Sequence, residues 1–303
     1  MMPNFTNLAI GLAVVAVAAV VAVLFSFLFP KTAIIATSTA KEAIRQPAFF
    51  VLAFIASASL IVTIFVPYFT FNEDIKMYKD TGLTTISFAC LLLALLTSSS
   101  TVAEEIEGKT AVTLLSKPIN RRQFILGKFL GIELGVLSLF ILLGTVFALG
   151  VWFKTAYDLR EAAGQADDLV NRSKHVWQIL PGLALGFGEV TILAAVSVAI
   201  STRLPMLVNL IVCIAVFFLG HLTPVLVEAT AQGQQSNELV KFMARLFAFV
   251  LPMLEFFNAS PSIATGAMIS WTAYVLPALL YCIMYSGAAL LFAFLLFENR
   301  DVA

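Results

Sequence analysis

The chain of 303 residues is 60% hydrophobic and 12% charged, against roughly 45–50% apolar and about 25% charged in a soluble domain, so an ordinary soluble protein is excluded. Basic and acidic residues cancel at 18 each, leaving no global field for nucleic acid; 27 phenylalanines in long apolar runs exclude intrinsic disorder. Cys90, Cys213 and Cys282 sit in apolar runs without a CxxC, and His175 and His221 are too few for a histidine-built centre, so no metal site is expected.

A hydrocarbon core of about 30 Å needs about 20 apolar residues of helix. Charge-free stretches of that length predict an all-α, polytopic membrane protein with about seven transmembrane helices. The first, Leu8–Phe29 within residues 1–30, lacks a positive n-region and is too long for a signal-peptide core, so it reads as a retained helix. The next two lie between Arg45 and Glu73 and between Asp80 and Glu104. Residues 129–153 and 176–202 follow, interrupted only by Glu133 and Glu189, and 204–227 is the sixth. The long uncharged stretch between Glu255 and Glu298 is punctuated by Asn258, Pro261, Gly266 and Trp271. It predicts one full span at 273–297, preceded by an apolar hairpin (246–266) that dips into the bilayer without crossing, a segment tolerated only where protein or water covers its backbone.

Positive charge on short loops sets orientation. One alternating set of loops holds ten basic residues against six acids, including Lys31, Lys117 and Arg300; the other holds eight against ten. The first set is therefore assigned to the cytoplasm. Trp152, Trp177 and Trp271 fall at span ends on the opposite face, as an aromatic belt would. The N-terminus is expected outside and the C-terminus in the cytoplasm.

The most informative stretch is Thr101–Lys128. Val102, Ile106, Thr110 and Leu114 recur every four residues, one helical stripe. Glu105 and Lys109 form an i, i+4 pair in the favourable order. Pro118 stops that helix, while Asn120 and Gln123 have the spacing of a capping box for a second helix starting at Arg121. The chain thus overshoots the membrane, ends in a short amphipathic helix, turns and re-enters. A solvated loop would explain the charges; the stripe and the caps favour a rigid element that docks a partner. Gly108-Lys109-Thr110 is not a phosphate loop, because position 103 is Ala where that motif needs Gly.

Glu104, Glu105, Ile106, Gly108, Lys109, Thr110, Leu114, Leu115, Pro118, Arg121 and Arg122, with Gly127-Lys128 opening the next helix, resemble the signature of the type-2 ABC transporter permeases. Within that family the chain is most similar to the branch of multicopper-enzyme maturation and nitrous oxide reductase permeases. Lys41-Glu42-Ala43-Ile44-Arg45 is similar to the family's amphipathic elbow helix. The resemblance implies a six-helix transmembrane domain over 31–303, with residues 1–30 as an extra N-terminal helix. It also implies a permease that pairs with a second copy, as a homodimer or related heterodimer, and with separate ATP-binding subunits. ATP and Mg would reside on those subunits, so no cofactor is expected on this chain and no enzyme activity of its own. The cytoplasmic loop 104–128 would carry the coupling helix, and Arg203 and Pro205 a second, smaller contact.

Gly127, Gly131 and Gly135 repeat every four residues, a small-xxx-small stripe for close backbone approach, read as packing within the subunit ahead of a dimer seam. Glu189 falls near mid-bilayer, where charge is expensive; a residue of the translocation path and a buried hydrogen bond are both open readings. Glu133 is expected to reach the interface, Ser98–Thr101 to be a polar helix end, and loop 154–178 to be solvated. Two function classes remain: an ABC permease, read with the resemblance as an exporter, and an ion-gradient-driven carrier or other polytopic carrier with Glu189 as its proton site. The loop at 104–128 favours the first. An intramembrane enzyme would need a paired-carboxylate or His–Ser constellation that is not evident in the sequence.

Overall fold

The computed structural model describes residues 27–66, 74–103, 120–161, 169–232 and 238–298, with single positions at 11, 13 and 16. Among them every regular element is a helix. Six helical stretches are long and apolar enough to cross a bilayer: Pro47–Phe65, Asp74–Val102, Arg121–Tyr157, Arg172–Ser201, Met206–Val225 and Trp271–Glu298. They match the second to seventh predicted spans, so the chain is an all-α polytopic membrane protein. The first predicted span lies largely outside the described residues.

Helix α1 (Pro30–Arg45) begins with proline in its first turn and ends at Gln46, whose backbone is extended (φ −64°, ψ 139°). Pro47 explains that break, because a residue before proline is pushed out of the helical region; the same proline starts α2 (Pro47–Phe65), where its missing N–H is harmless. α1 lies along α4 (Arg121–Glu161). Its small residues Thr32, Ala36, Thr39 and Ala43 are buried against Gly127, Gly131 and Gly135, where an added Cβ would stand 2.7 Å from Ile35, 2.6 Å from the Ala36 carbonyl and 2.7 Å from Ala43. The glycine stripe therefore meets the subunit's own α1.

Helix α3 (Asp74–Ser98) widens into a π-turn at Ser99–Ala103. With α4 and α5 (Leu169–Ser201) it forms the centre of the bundle, where Ile86, Leu93, Leu95, Ile132, Leu139, Ile192 and Leu193 are fully buried. α6 (Met206–Gln232) and α2 leave rows of apolar side chains exposed, among them Phe54, Ile55, Leu207, Ile211 and Phe218, as membrane-facing helices do.

The segment before the last span is a hairpin of short pieces: α7 (Glu238–Val250), a 3₁₀ turn at Leu254–Phe257 and α8 (Ser260–Ala264). A π-turn at Trp271–Val275 then leads into α9 (Leu276–Glu298). The 3₁₀ turn sits deep. Leu254 lies against Gly220 of α6 and Phe257 against Gly188 of α5, while the Met253 N–H donates to the Tyr281 hydroxyl (3.0 Å) and the Tyr285 hydroxyl to the Val250 carbonyl (3.0 Å). Gly188 and Tyr285 lie near the middle of their spans. The chain then climbs back along α5, with Ile263 beside Gly182 and the Gly266 carbonyl accepting from the Gln178 amide (3.3 Å). Gly266 has φ +84°, a conformation that favours glycine, and it turns the climbing chain toward Trp271.

Candidate functional site

At the end of the bundle that carries the 104–128 loop, Glu104, Glu105, Ile106, Gly108, Lys109, Thr110, Leu114, Leu115 and Pro118 lie outside the described residues. The anchors on either side are described. On the α4 side, the Asn120 N–H donates to Gln123 Oε1 (3.2 Å), one half of a capping box. Arg122 is exposed. Arg121 Nη1 donates to the carbonyls of Phe297 (3.2 Å) and Glu298 (3.0 Å), and its guanidinium lies 5.7 Å from the centre of the Phe297 ring. The C-terminal carbonyls of a helix have no intrahelical donors; Arg121 supplies one and places a cation at the negative end of α9.

On the α3 side, the base of the loop is a buried polar cluster. Asn209 of α6 sets its side-chain nitrogen 2.7 Å from Ser99 Oγ, 2.9 Å from Ser197 Oγ and 2.8 Å from Ser201 Oγ. Cys213 Sγ donates to Asn209 Oδ1 (3.3 Å), and Ser98 hydrogen-bonds Ser197. Gln46, at the corner between α1 and α2, donates to Ser100 Oγ (3.0 Å) and accepts from Thr97 (3.4 Å). The run at Ser98–Thr101 is thus a polar helix end in part, and also a junction. Asn209 escapes a sequence reading because it is one amide in an apolar run, and only the fold brings Ser99, Ser197 and Ser201 around it.

Beside this cluster, Lys41, Glu42 and Arg45 are exposed on α1, lining an open hollow with Ser38, Gln46 and Pro47; Glu42 lies 4.0 Å from Lys128. Arg203 and Pro205 are exposed in the turn between α5 and α6.

Half-way through the bundle the acids gather. Glu189 is 7% exposed, with Oε1 3.5 Å from His221 Nε2 of α6. Glu255, exposed on the 3₁₀ turn, lies within electrostatic range of Glu189 and accepts from the Asn258 amide (3.2 Å). Glu133 does not reach the interface as expected. It stands about 18 Å along α4 from Arg121 at 1.5 Å per residue, buried against α5, where Thr191 Oγ1 donates to its Oε2 (2.9 Å), and Oε1 has no partner. The registry of α4 against α5, not its distance from Lys128, decides where that side chain goes.

At the far end, the ends of the stretch expected to be a solvated loop are buried. Lys154 is 2% exposed and pairs with Asp74 (3.5 Å). The Lys79 ammonium, 1% exposed, donates to His175 Nδ1 (2.9 Å) and Gln178 Oε1 (2.8 Å). Through Gln178 it ties α3 and α5 to the Gly266 carbonyl of the hairpin.

The anchors at 99–101 and 121, the acids at mid-depth and the hairpin are set among six helices long and apolar enough to cross a membrane. The chain belongs to the ABC-2 family of transporter proteins, whose model matches residues 65–302; it is an ABC transporter permease by that membership. No curated protein matches the chain. The matched residues include the whole loop, the mid-depth acids and the hairpin, and leave out α1 and most of α2.

Proposed function

We propose that the chain is the membrane-spanning half of an ABC exporter in a bacterial cytoplasmic (inner) membrane. It dimerises with a second permease copy and draws its energy from a separate ATP-binding subunit, which holds the ATP and Mg. The observation that carries this reading is family membership over residues 65–302, which spans the 104–118 loop and both helices that flank it. The anchors support it physically. On one side Ser99, Asn209 and Ser201 join the start of the loop to the turn bearing Arg203 and Pro205; on the other, Arg121 joins the loop's return to the end of α9. A push on the loop is passed to several spans because stiff hydrogen-bonded junctions meet there.

Glu189 is the residue assigned to the translocation path. The pair Glu189–His221 is also what an ion-gradient-driven carrier would need, so the two classes are separated by the ATPase. The test is Ile106→Pro, which breaks the docking helix at a cost of about 3 kcal/mol or more locally while leaving the spans folded. The variant is expected to lose co-purification with the cognate ATP-binding subunit and the stimulation of its turnover. Retention of both would reject the docking role and favour the carrier.

A further inference from the structure

The corner between α1 and α2 encloses a hollow with more positive than negative charge. Ser38, Lys41, Glu42, Arg45, Gln46 and Pro47 line a space of about 520 Å³, within the roughly 300–1,000 Å³ of sites for small ligands. Ser38, Lys41 and Arg45 recur at steps of three and four residues, so they share one side of the helix, away from the buried row Thr32, Ala36, Thr39 and Ala43. Among the described residues neither Lys41 nor Arg45 has a side-chain hydrogen bond or ion pair. Glu42, the acid of the rim, stands 4.0 Å from Lys128. Two cations therefore face the hollow without a counterion.

Depth names what surrounds it. α2 is 19 residues long, about 28 Å at 1.5 Å per residue, and a hydrocarbon core is about 30 Å thick. A helix of that length crosses only if it starts at the edge of the hydrocarbon. Pro47 stands at that edge, and residues 38–46 stand just outside it, at the level of the lipid headgroups. Phe50, Val51 and Phe54 follow Pro47 by three, four and seven residues and so lie on its face of α2. They are 60%, 54% and 76% exposed, an apolar strip leading from the hollow into the bilayer. Gln46 donates to Ser100 and accepts from Thr97, which places the hollow at the end of the bundle that bears the 104–128 loop. That end is expected to face the cytoplasm, where anionic lipids of the leaflet attract basic side chains.

We propose that the hollow binds the phosphate headgroup of an anionic phospholipid, whose acyl chains lie along Phe50, Val51 and Phe54. The planar guanidinium of Arg45 suits two phosphate oxygens at once, Lys41 adds a compact positive charge, and the Ser38 hydroxyl adds a neutral donor. A zwitterionic lipid brings its own cation to the same place and gains less. A soluble phosphate ester has no chains to cover the apolar strip, so the occupant is lipid. The site goes beyond the permease reading and depends on neither cargo nor ATPase. Its floor, Gln46, also holds Ser100, so a bound headgroup rests on the junction at the base of the 104–128 loop.

The experiment uses the full chain purified in detergent with phosphatidylglycerol and phosphatidylcholine of identical acyl chains, and native mass spectrometry reads the lipid each chain retains. Phosphatidylglycerol is expected to be retained in preference to phosphatidylcholine. Lys41→Gln and Arg45→Gln should each weaken that preference about fivefold, and the double variant about twentyfold, as for basic side chains at an anionic surface. Arg45→Lys, which keeps the charge, should lose less than Arg45→Gln. Lys174→Gln, at an exposed lysine of the opposite end, should bind as the parent does. Lys41 and Arg45 are exposed, so their variants should keep the elution volume and helical circular dichroism of the parent. No preference for phosphatidylglycerol, an equal preference in parent and double variant, equal losses from Arg45→Lys and Arg45→Gln, or the same loss in Lys174→Gln would each overturn the proposal. Displacement of the lipid by excess soluble glycerol phosphate would overturn it too, because the hollow would then be a site for free phosphate esters.

Discussion

Gly131 and Gly287 are both glycines in membrane helices, yet their surroundings are opposite. A methyl at Gly131 would stand 2.6 Å from the Ala36 carbonyl, while nothing lies within 4 Å of one at Gly287. Gly131→Ala should therefore destabilise the protein by about 1–3 kcal/mol through overpacking of the α1–α4 seam. Gly287→Ala should be neutral or stabilising by up to about 1 kcal/mol, the helix propensity difference. Thermal unfolding of both variants in one detergent checks the contrast, and equal shifts would contradict the seam. Asn209 gives a second prediction at this scale. Its amide has two hydrogens for three serine oxygens at 2.7–2.9 Å, so Asn209→Ala strips the cluster of its centre. A cost of about 1–2 kcal/mol is expected, as for polar contacts between membrane helices, read as a lower midpoint in the same assay.

At the scale of elements, the ends of the helices explain more than their middles. α9 finishes under the guanidinium of Arg121, with Phe124 stacked on Phe297 at 6.0 Å. Arg121→Ala should fray the last turn of α9, at a cost of about 0.3–1 kcal/mol for the lost cation at a helix end. Hydrogen exchange over residues 294–298 should quicken while exchange over 139–147 stays unchanged; unchanged exchange at the end of α9 would count against the cap. The same arginine belongs to the family-like signature, so a docking defect in this variant has an internal cause to be separated from any direct contact. Gln46 is the comparable case at the other anchor. Pro47 forces the corner, and the corner amide is spent on Ser100 and Thr97.

Over the whole molecule, the excess of positive charge on the loops of one side predicts that residues 104–128 and the C-terminus face the cytoplasm and 154–178 the outside. Single cysteines at 117 and 165, in a background lacking Cys90, Cys213 and Cys282, test this directly. An impermeant thiol reagent on intact cells should reach 165 and spare 117, and the reverse pattern would invert the topology. Removing the three native cysteines should be tolerated, since each is buried and serves as a small apolar side chain. The exposed apolar rows on α2, α6 and α9 are surface available to lipid.

What the sequence determined by itself is whatever depends on composition and one-dimensional spacing. Long charge-free runs set the crossing helices, because an unpaired backbone group in hydrocarbon forces helix formation. Pro47, Asn120 and Gln123 set local helix ends, because capping and the restriction before proline act over a few residues. The resemblance at 104–128 pointed to the permease family for the same reason: it is a contiguous string. The site was less legible. Glu189 could be singled out as an acid within an apolar run, but its partner His221 comes from α6 and Glu255 from the hairpin, and only the packing of α6 and the folding back of the hairpin set them at that depth. Asn209 and its serines, Lys79 with Gln178, and the burial of Glu133 against Thr191 are likewise products of helix registry. A side chain's direction around a buried helix is set by which neighbour it packs on, and in a chain this apolar the hydrophobic pattern carries too little contrast to say which face that is.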